Sequence, residues 1–193
     1  QALKIYSGGL GFLAGSHMRS VHGLKQNLIG IGMLWKYGYY DQGRKKDGSM
    51  QPEFREKMYS YLVDTKIRFQ IPIMGKDVWV AAYYLDPETF GSAPLFLLTT
   101  DTDGNDETTR AISYSLYDAD VTYKVAQCMV LGIGGARLLE ALQYEPEVYH
   151  LNEAHAVSAV FHLYKKYKKV AEVQKRVVFT THTPEEAGNE KHD

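Results

Sequence analysis

The pattern of hydrophobic and polar positions near the start of the chain predicts a helix followed by a strand. Apolar residues recur at helical spacing at Leu10, Leu13, Ala14, Met18 and Val21. We therefore predict an amphipathic helix that follows the glycine turn at 8–11 and ends at Gly23, with His17 as a core histidine on its apolar face. The apolar, β-branched run 28–35 predicts a buried strand. With the short extended stretch before the turn, these elements are typical of a βαβ unit.

Two runs of alternating apolar residues in the middle of the chain predict an antiparallel hairpin. The runs are 67–73 and 78–82, and a Gly75-Lys76 turn lies between them. We place this hairpin as an insertion on the edge of the domain. The polar stretch 41–48 is assigned no element, and the apolar run 94–99 predicts a further strand.

The region from Val121 to Leu142 predicts a long helical segment that contains several glycines. Gly132, Gly134 and Gly135 each cost about 1 kcal/mol in a helix interior. Because glycine has no side chain, such positions also allow another element to approach the helix backbone. We therefore expect either a break in the helix or very close packing here.

The last predicted unit is a strand, a helix and a second strand. The strands are 148–151 and 176–180, and the helix runs from residue 153 to about residue 168. Asn152 is the predicted cap of this helix. The buried stripe that we predict for it consists of Val157, Val160, Phe161 and Tyr164.

The alternation of strands and helices predicts an α/β fold with a Rossmann-like open sheet, in which ligands bind at the carboxyl ends of strands. With 193 residues, 45% of them hydrophobic, the chain is long enough for one domain with a sizeable core. The 22 basic and 23 acidic residues give a net charge of -1, so the chain lacks the basic field typical of nucleic-acid and anionic-membrane binding. We expect neutral or small partners, with no nucleic acid and no membrane.

The cysteine content bears on redox setting and on metal binding. Cys128 is the only cysteine, so an internal disulfide and a cysteine-rich zinc site are excluded. We expect a reducing, cytoplasmic setting and no metal site. The apolar runs are also far shorter than a membrane-spanning helix requires.

The first candidate site is the glycine turn itself, in the stretch Tyr6-Ser7-Gly8-Gly9-Leu10-Gly11. Glycines let the backbone come close to a ligand, and the start of the following helix offers free N–H groups to an anion. A phosphate or a sugar hydroxyl would suit this turn. A plain packing turn between strand and helix is the alternative that the spacing leaves open.

The second candidate site lies in the stretch 150–156, where Asn152, Glu153 and His155 follow a predicted strand. A carboxylate and an imidazole at a strand end can bind sugar hydroxyls or exchange protons. Metal binding by the imidazoles at 150 and 155 is a rival, although the stretch lacks the two-histidine spacing of the zinc protease motif. Capping and core packing is a further alternative.

The third candidate site follows the last predicted strand. His182 stands between the hydroxyl residues Thr181 and Thr183, and Pro184 prevents simple continuation into a helix. A strand-end histidine flanked by hydroxyls indicates a binding site, with a structural role as the alternative.

Together, these stretches resemble the glycogen, starch and maltodextrin phosphorylase family, especially its compact bacterial and archaeal α-glucan phosphorylase branch. The likeness covers nearly the whole chain, although the region from about 45 to 120 contributes little. The residues that carry it, in order, are Tyr6 to Gly15, Gly30 to Tyr39, Leu131 to Arg137, Asn152 to Ala156 and Thr180 to Pro184.

The resemblance implies a two-domain glycosyltransferase of the GT-B type, of which residues 1–193 are part of the amino-terminal domain. The implied reaction transfers a glucosyl unit from the non-reducing end of an α-1,4-glucan, such as glycogen or maltodextrin, to inorganic phosphate and gives glucose 1-phosphate. The implied cofactor is pyridoxal phosphate, whose attachment lysine belongs to the carboxyl-terminal domain and has no counterpart in this chain. The family also implies a homodimer for the full-length protein, and we expect the isolated chain to be inactive.

The resemblance also implies roles for individual residues. It places Gly8, Gly9 and Leu10 beside the reacting sugar and the phosphates. It makes His182 the catalytic residue, against the transferred glucosyl unit, and places His155 near the acceptor sugars. The other implied substrate-binding residues are Asn152, Glu153, Thr181 and Thr183.

Two departures from the family pattern bear on specificity rather than on membership. Ala154 replaces the glycine usual in the compact branch, and Glu185-Glu186 replaces a small or proline-containing sequence. A nucleotide-sugar glycosyltransferase of the glycogen or starch synthase type is one alternative, but its turn resembles Lys-x-Gly-Gly-Leu-Gly, and Tyr6 stands at the lysine position. A non-catalytic glucan-binding module is the other.

Overall fold

The structure, a computed structural model, describes residues 3–185. Its helices are α1 (Gly9–Gly23), α2 (Pro87–Phe90), α3 (Glu107–Arg110), α4 (Val121–Met129), α5 (Gly135–Ala141), α6 (Ala159–Tyr167) and α7 (Val170–Gln174). Its strands are β1 (Gly30–Met33), β2 (Asp41–Arg44), β3 (Met50–Glu53), β4 (Val63–Ile73), β5 (Lys76–Leu85), β6 (Leu95–Thr99), β7 (Tyr149–Asn152) and β8 (Val177–Thr180). Short 3₁₀ turns occupy Ala111–Ser113 and Ala154–Ala156, and one π-helical turn occupies Val130–Gly134.

The main sheet contains four strands in the order β1, β6, β5, β4. β1 and β6 pair in parallel, whereas β5 pairs antiparallel with β6 and with β4. Buried sheet residues such as Ile71 and Leu98 form one hydrophobic cluster with Val130 and Leu138 of the helical layer. The chain is therefore a mixed α/β protein with an open sheet, which is compatible with the predicted Rossmann-like fold.

The predicted central hairpin is confirmed and consists of β4 and β5. Met74 and Gly75 join the two strands, and their φ angles of 53° and 72° are both positive. Two consecutive positive φ values are typical of the type I′ turn, whose twist matches that of the strands it joins. The turn lies one residue earlier than predicted, and both strands belong to the main sheet, with β4 at its edge.

A second antiparallel pair, β2 and β3, occupies the polar region to which the sequence pattern assigned no element. These strands bury no residue, so they lack the apolar alternation that identifies a half-buried strand. The turn between them is built on Asp47, whose carboxylate accepts hydrogen bonds from the Ser49 N–H and hydroxyl at 2.9 and 2.7 Å. The pair Asp47-Gly48 is itself typical of a hairpin turn, and it was the feature of the sequence from which this hairpin could have been predicted.

The glycine-containing helical region forms α4, the π-helical turn and α5 without a break. The predicted close packing is confirmed at Gly132, where a side-chain Cβ would lie 2.6 Å from Ala159 N and 2.7 Å from Ala156 O, and closer still to Ser158 Oγ. At Gly134 and Gly135 an added Cβ would meet its nearest neighbours at 3.4 and 3.5 Å, which is ordinary contact. The start of α6 thus packs closely against the π-helical turn at Gly132.

The predicted strands of the last unit are confirmed as β7 and β8, which pair in parallel in a small sheet of their own. The helix between them was predicted incorrectly at its start. The chain first forms the 3₁₀ turn 154–156, α6 begins only at Ala159, and Asn152 is the last residue of β7 rather than a helix cap.

The predicted buried stripe of this helix is also wrong. Phe161 is 72% exposed, and Val157 and Tyr164 are exposed as well. The buried residues of α6 are Ala159 and Leu163. The close approach at Gly132 accounts for this, because it places Ser158 and Ala159 at the contact, and Leu163, four residues after Ala159, lies on the same face of α6.

The predicted first helix is confirmed as α1, including its end at Gly23. Its burial is slighter than the pattern indicates, since Val21 is its only buried residue and Leu13 is exposed. His17 is exposed too, so its interpretation as a core histidine is wrong. Within residues 3–185 we find no helix long and apolar enough to cross a membrane.

Candidate functional site

The glycine turn forms the start of α1. Gly8 precedes the helix with φ 76° and ψ -164°, a conformation that is essentially restricted to glycine. The first turn of α1 contains no acidic residue, and no side chain among residues 3–185 caps it. Its amide groups are therefore available to a ligand, and the helix dipole favours a negative charge at this position.

The carboxyl ends of β7 and β8 lie side by side because the two strands are parallel and Asn152 is in register with Thr180. His182 follows β8, and its Nε2 lies 2.9 Å from Asn152 Oδ1. Since an amide oxygen can only accept, this contact puts the imidazole proton on Nε2 and leaves Nδ1 as an acceptor in the neutral ring.

The Glu153 carboxylate joins the loop after β7 to the loop after β8. One of its oxygens accepts hydrogen bonds from the His182 N–H and from Thr183 Oγ1, the latter at 3.4 Å. The other oxygen accepts one from Thr181 Oγ1 at 3.3 Å. Thr181 Oγ1 also accepts a hydrogen bond from the Thr183 N–H at 3.4 Å. A single carboxylate thus gathers three consecutive residues of the second loop.

The backbone of Glu153 is strained. Its φ of 64° and ψ of -177° fall in a region that is populated almost only by glycine. Such a conformation costs roughly 1–3 kcal/mol in a non-glycine residue, and it persists only where the surroundings enforce it. Here the Glu153 N–H donates to Thr180 O at 2.9 Å, so backbone and side chain of the same residue both bind the end of β8 and the loop after it.

A second pair of contacts connects this cluster to α1. His150 Nε2 lies 2.7 Å from Thr180 Oγ1, and the His150 ring stands perpendicular to the His17 ring at a centroid distance of 6.3 Å. His17 belongs to α1, so the helix that starts at the glycine turn lies against β7. Thr180 was not among the predicted site residues, although the sequence places its hydroxyl at the end of a predicted strand.

The predicted site residues fall into two groups in the structure. Asn152, Glu153, Thr181, His182 and Thr183 form one hydrogen-bonded group, which we call the β7–β8 cluster. Gly8, Gly9 and Leu10 form the start of α1. His155 lies in the 3₁₀ turn just after the cluster and is exposed. Glu186, one of the two residues that depart from the family pattern, lies outside the described residues.

An ion pair that the sequence analysis missed lies beyond the carboxyl ends of the parallel strands β1 and β6. Lys36 Nζ is 3.0 Å from Asp101 Oδ2 and 4.7 Å from the centre of the Tyr114 ring. The hydrogen bond with Asp101 raises the pKa of Lys36. Charged residues just after two neighbouring strands were the signal that could have identified this pair.

Among residues 3–185, no three histidine, cysteine, aspartate or glutamate side chains are grouped so that they could hold a metal ion. The β7–β8 cluster presents hydroxyls, an imidazole, an amide and a carboxylate, all of which can form hydrogen bonds.

The chain is similar to segments of proteins named maltodextrin phosphorylase and glycogen phosphorylase, which confirms the resemblance noted in the sequence. No family model matches the chain. Over 99% of its length it is 37% identical to part of the maltodextrin phosphorylase of Thermococcus litoralis, of which it covers 24%. It is 32% identical over 94% of its length to part of the glycogen phosphorylase of Aquifex aeolicus, of which it covers 28%.

A protein of Methanocaldococcus jannaschii whose name assigns no function is also similar. It is 44% identical to this chain over all 193 residues, which cover 37% of that protein. The chain thus spans between about a quarter and little more than a third of the length of these relatives.

Proposed function

We propose that this chain forms the glucan-contacting part of an α-glucan phosphorylase with a GT-B architecture. In this proposal the intact protein transfers a glucosyl unit from the non-reducing end of an α-1,4-glucan to inorganic phosphate, which gives glucose 1-phosphate. The similarity to proteins named maltodextrin phosphorylase and glycogen phosphorylase supports the reaction class. The β7–β8 cluster is the single observation that carries the proposal.

The cluster is suited to binding a sugar because its polar groups converge at one strand end and are themselves held in place. His182 is exposed, and its Nδ1 can accept a hydrogen bond from a sugar hydroxyl while Nε2 is bound to Asn152. Thr181 is exposed as well and offers a hydroxyl. We assign His182 to the transferred glucosyl unit and the exposed His155 to the acceptor sugars, with Asn152 and the two threonines as further sugar-binding residues.

The start of α1 is suited to an anion, and we assign Gly8, Gly9 and Leu10 to the phosphate side of the reaction. An added Cβ at Gly8 or Gly9 would meet no atom of residues 3–185 within 4 Å, so the described part of the chain leaves room for a ligand beside this turn. Free amides at a helix start can bind a phosphate without the help of a positively charged side chain. A phosphate group there, whether substrate or part of pyridoxal phosphate, would supply negative charge beside a positively charged, oxocarbenium-like transition state.

Two alternatives stay open under this proposal. A nucleotide-sugar glycosyltransferase would use the same glycine turn, but the residue at the lysine position is Tyr6. A non-catalytic glucan-binding module would use the β7–β8 cluster without any group transfer. Release of glucose 1-phosphate separates the proposal from both, because neither alternative produces it.

The test is phosphorolysis by the intact protein that carries this chain, supplied with pyridoxal phosphate, maltodextrin and inorganic phosphate. We expect glucose 1-phosphate to form. His182→Ala should lower kcat/KM by at least about a hundredfold, because a misplaced or missing contact to the reacting sugar is expressed mainly in the transition state.

His22→Ala is the matched control, since His22 lies at the opposite end of α1 from the glycine turn. It should leave the rate unchanged. Normal turnover by His182→Ala would refute the assigned role, and the absence of glucose 1-phosphate with every glucan tried would refute the proposed reaction.

A further inference from the structure

Glu153 is the residue of the β7–β8 cluster whose contacts differ most from those expected of a sugar ligand. A carboxylate that binds sugar hydroxyls keeps its oxygens directed towards the ligand. The Glu153 oxygens instead accept hydrogen bonds from the Thr181 hydroxyl, the His182 N–H and the Thr183 hydroxyl. Its side chain is therefore committed to the neighbouring loop.

We infer that Glu153 is a positioning residue, which holds the loop 181–183 so that the His182 imidazole stays against Asn152, and that it is not itself a sugar ligand. This inference rests on the proposed function for its consequence on catalysis. Its structural content, the control of His182 by Glu153, does not depend on any reaction.

The loop 181–183 depends on Glu153 for its position. No regular strand pairing holds residues 181–183, because β8 ends at Thr180. Beyond that point, the contacts of Glu153 fix the backbone at His182 and both flanking hydroxyls. A hydrogen bond to a charged acceptor is stronger than one between neutral groups, so the carboxylate is well suited to hold an exposed loop.

The backbone of Glu153 also indicates a positioning role. Glycine would adopt its φ of 64° without strain, and yet a glutamate stands here. The strained conformation directs the Glu153 N–H to Thr180 O, which keeps the residue beside the end of β8. A residue that served only to turn the chain would need no carboxylate.

Two substitutions test the role of Glu153. Glu153→Gly removes the carboxylate but suits the observed backbone conformation, so it separates the side-chain contacts from strain. Glu153→Gln keeps the side-chain length and one oxygen that can still accept from the His182 N–H. Glu145→Gln is the control, because Glu145 is an exposed glutamate in the chain before β7.

The first measurement is independent of catalysis. Diethyl pyrocarbonate modifies accessible imidazoles. The intact protein is treated with it and then digested, and mass spectrometry of the peptides gives the rate of modification at each histidine. In Glu153→Gly the His182 rate should rise severalfold relative to His22 in the same digest. In Glu153→Gln it should lie between the wild-type and glycine values, and in Glu145→Gln it should not change. An unchanged His182 rate in Glu153→Gly would overturn the inference.

The second measurement uses phosphorolysis of maltodextrin. Glu153→Gly should lower kcat by about tenfold to a hundredfold with little change in KM, because displacing a contact by about 1 Å can have an effect of this size. Glu153→Gln should recover part of the loss. The double variant with His182→Ala should be no slower than His182→Ala alone, since Glu153 acts through His182.

The outcomes distinguish this inference from the proposed function. Additive losses in the double variant, or a rise in KM with His182 reactivity unchanged, would identify Glu153 as a direct sugar ligand and overturn the inference. A glutamine variant no better than the glycine variant would also overturn it. A wild-type protein without phosphorolysis would refute the proposed function, while the His182 modification rates would still decide the role of Glu153.

Discussion

Replacing Gly132 with alanine should loosen the contact between the π-helical turn Val130–Gly134 and the start of α6. The added Cβ would lie 2.6 Å from Ala159 N and 2.7 Å from Ala156 O, and nearer still to Ser158 Oγ. Two of these neighbours are backbone atoms, so a side-chain rotation cannot relieve the overlap. The start of α6 has to move, and with it the 3₁₀ turn that follows Glu153.

The magnitude follows from three contributions. Overpacking of a close contact costs typically about 1–3 kcal/mol. Ser158 Oγ donates to Cys128 O at 2.7 Å, and loss of this hydrogen bond adds roughly 1 kcal/mol. Alanine in place of glycine within a helix stabilises the helix by about 1 kcal/mol, which offsets part of this loss. The net expected destabilisation is therefore about 1–3 kcal/mol, which corresponds to a factor of roughly 5 to well over 30 in a local opening equilibrium.

Hydrogen exchange followed by mass spectrometry measures this opening in the intact protein. Amides in the helical turns around Gly132 and at the start of α6 should exchange faster in Gly132→Ala by the factor given above. Gly135→Ala is the matched control in the same helix, because its Cβ would meet Ile31 at an ordinary 3.5 Å. The control should exchange as slowly as the wild type or more slowly.

Equal protection in Gly132→Ala and Gly135→Ala would refute the reasoning, since it would mean that α6 can retreat from the helix without loss. Faster exchange confined to residues far from α6 would refute it as well, because the overlap is local. A variant with the expected exchange but an unchanged His182 environment would show that the β7–β8 cluster does not depend on the position of α6.

Two further predictions concern the glycine turn and an acid-sensitive ion pair. Gly8→Ala should slow phosphorolysis and destabilise the turn by roughly 1–2 kcal/mol, because alanine tolerates the φ of 76° poorly. Gly15→Ala, in the middle of α1, is the control and should not slow the reaction. Equal rates in the two variants would contradict this prediction. The Arg68 guanidinium donates two hydrogen bonds to Asp64 and holds the pKa of that carboxyl below its ordinary 3.8. The stability from this pair is fully present above the ordinary pKa and is lost as pH falls through the lowered one, so Asp64→Asn should be less stable than wild type by up to about 1 kcal/mol at pH 7. The difference, measured by urea unfolding, should narrow below about pH 4, and a difference that is constant with pH would contradict the pairing.

The sequence predicted the regular elements well where burial is periodic. The strands β4 and β5 carry buried residues at Ile71, Ile73, Val78 and Val80, and their alternation was readable because one face of the sheet packs on the helices. The exposed hairpin of β2 and β3 has no such buried face, so its sequence shows no alternation of apolar and polar residues from which strands could be predicted. Only its Asp-Gly turn could have identified it.

The start of α6 could not be predicted because a distant contact decides it. The apolar residues Val157 and Phe161 resemble a core stripe, but the close approach to Gly132, in another helix, places Ser158 and Ala159 at the contact instead. Sequence spacing within one helix carries no information about the shape of its partner.

The candidate site was predictable as a set of residues but not as an arrangement. Strand ends in an α/β fold drew attention to Asn152, Glu153 and His182, and the structure brings these three together. The positive φ of Glu153 gave no signal, because glutamate is not a residue that indicates such a conformation. The direction of its carboxylate depends on that backbone angle and therefore could not be predicted from the sequence.

The connection between β7 and β8 couples the formation of the site to the folding of the helices between the two strands. Asn152 and His182 are 30 residues apart and meet only after α6 and α7 have brought β8 alongside β7. Before that, neither loop has its partner, and the entropy of closing the intervening chain has not been offset. A ligand that bridges the two loops would therefore bind only molecules with this crossover folded, and its binding free energy would be added to the stability of α6 and α7.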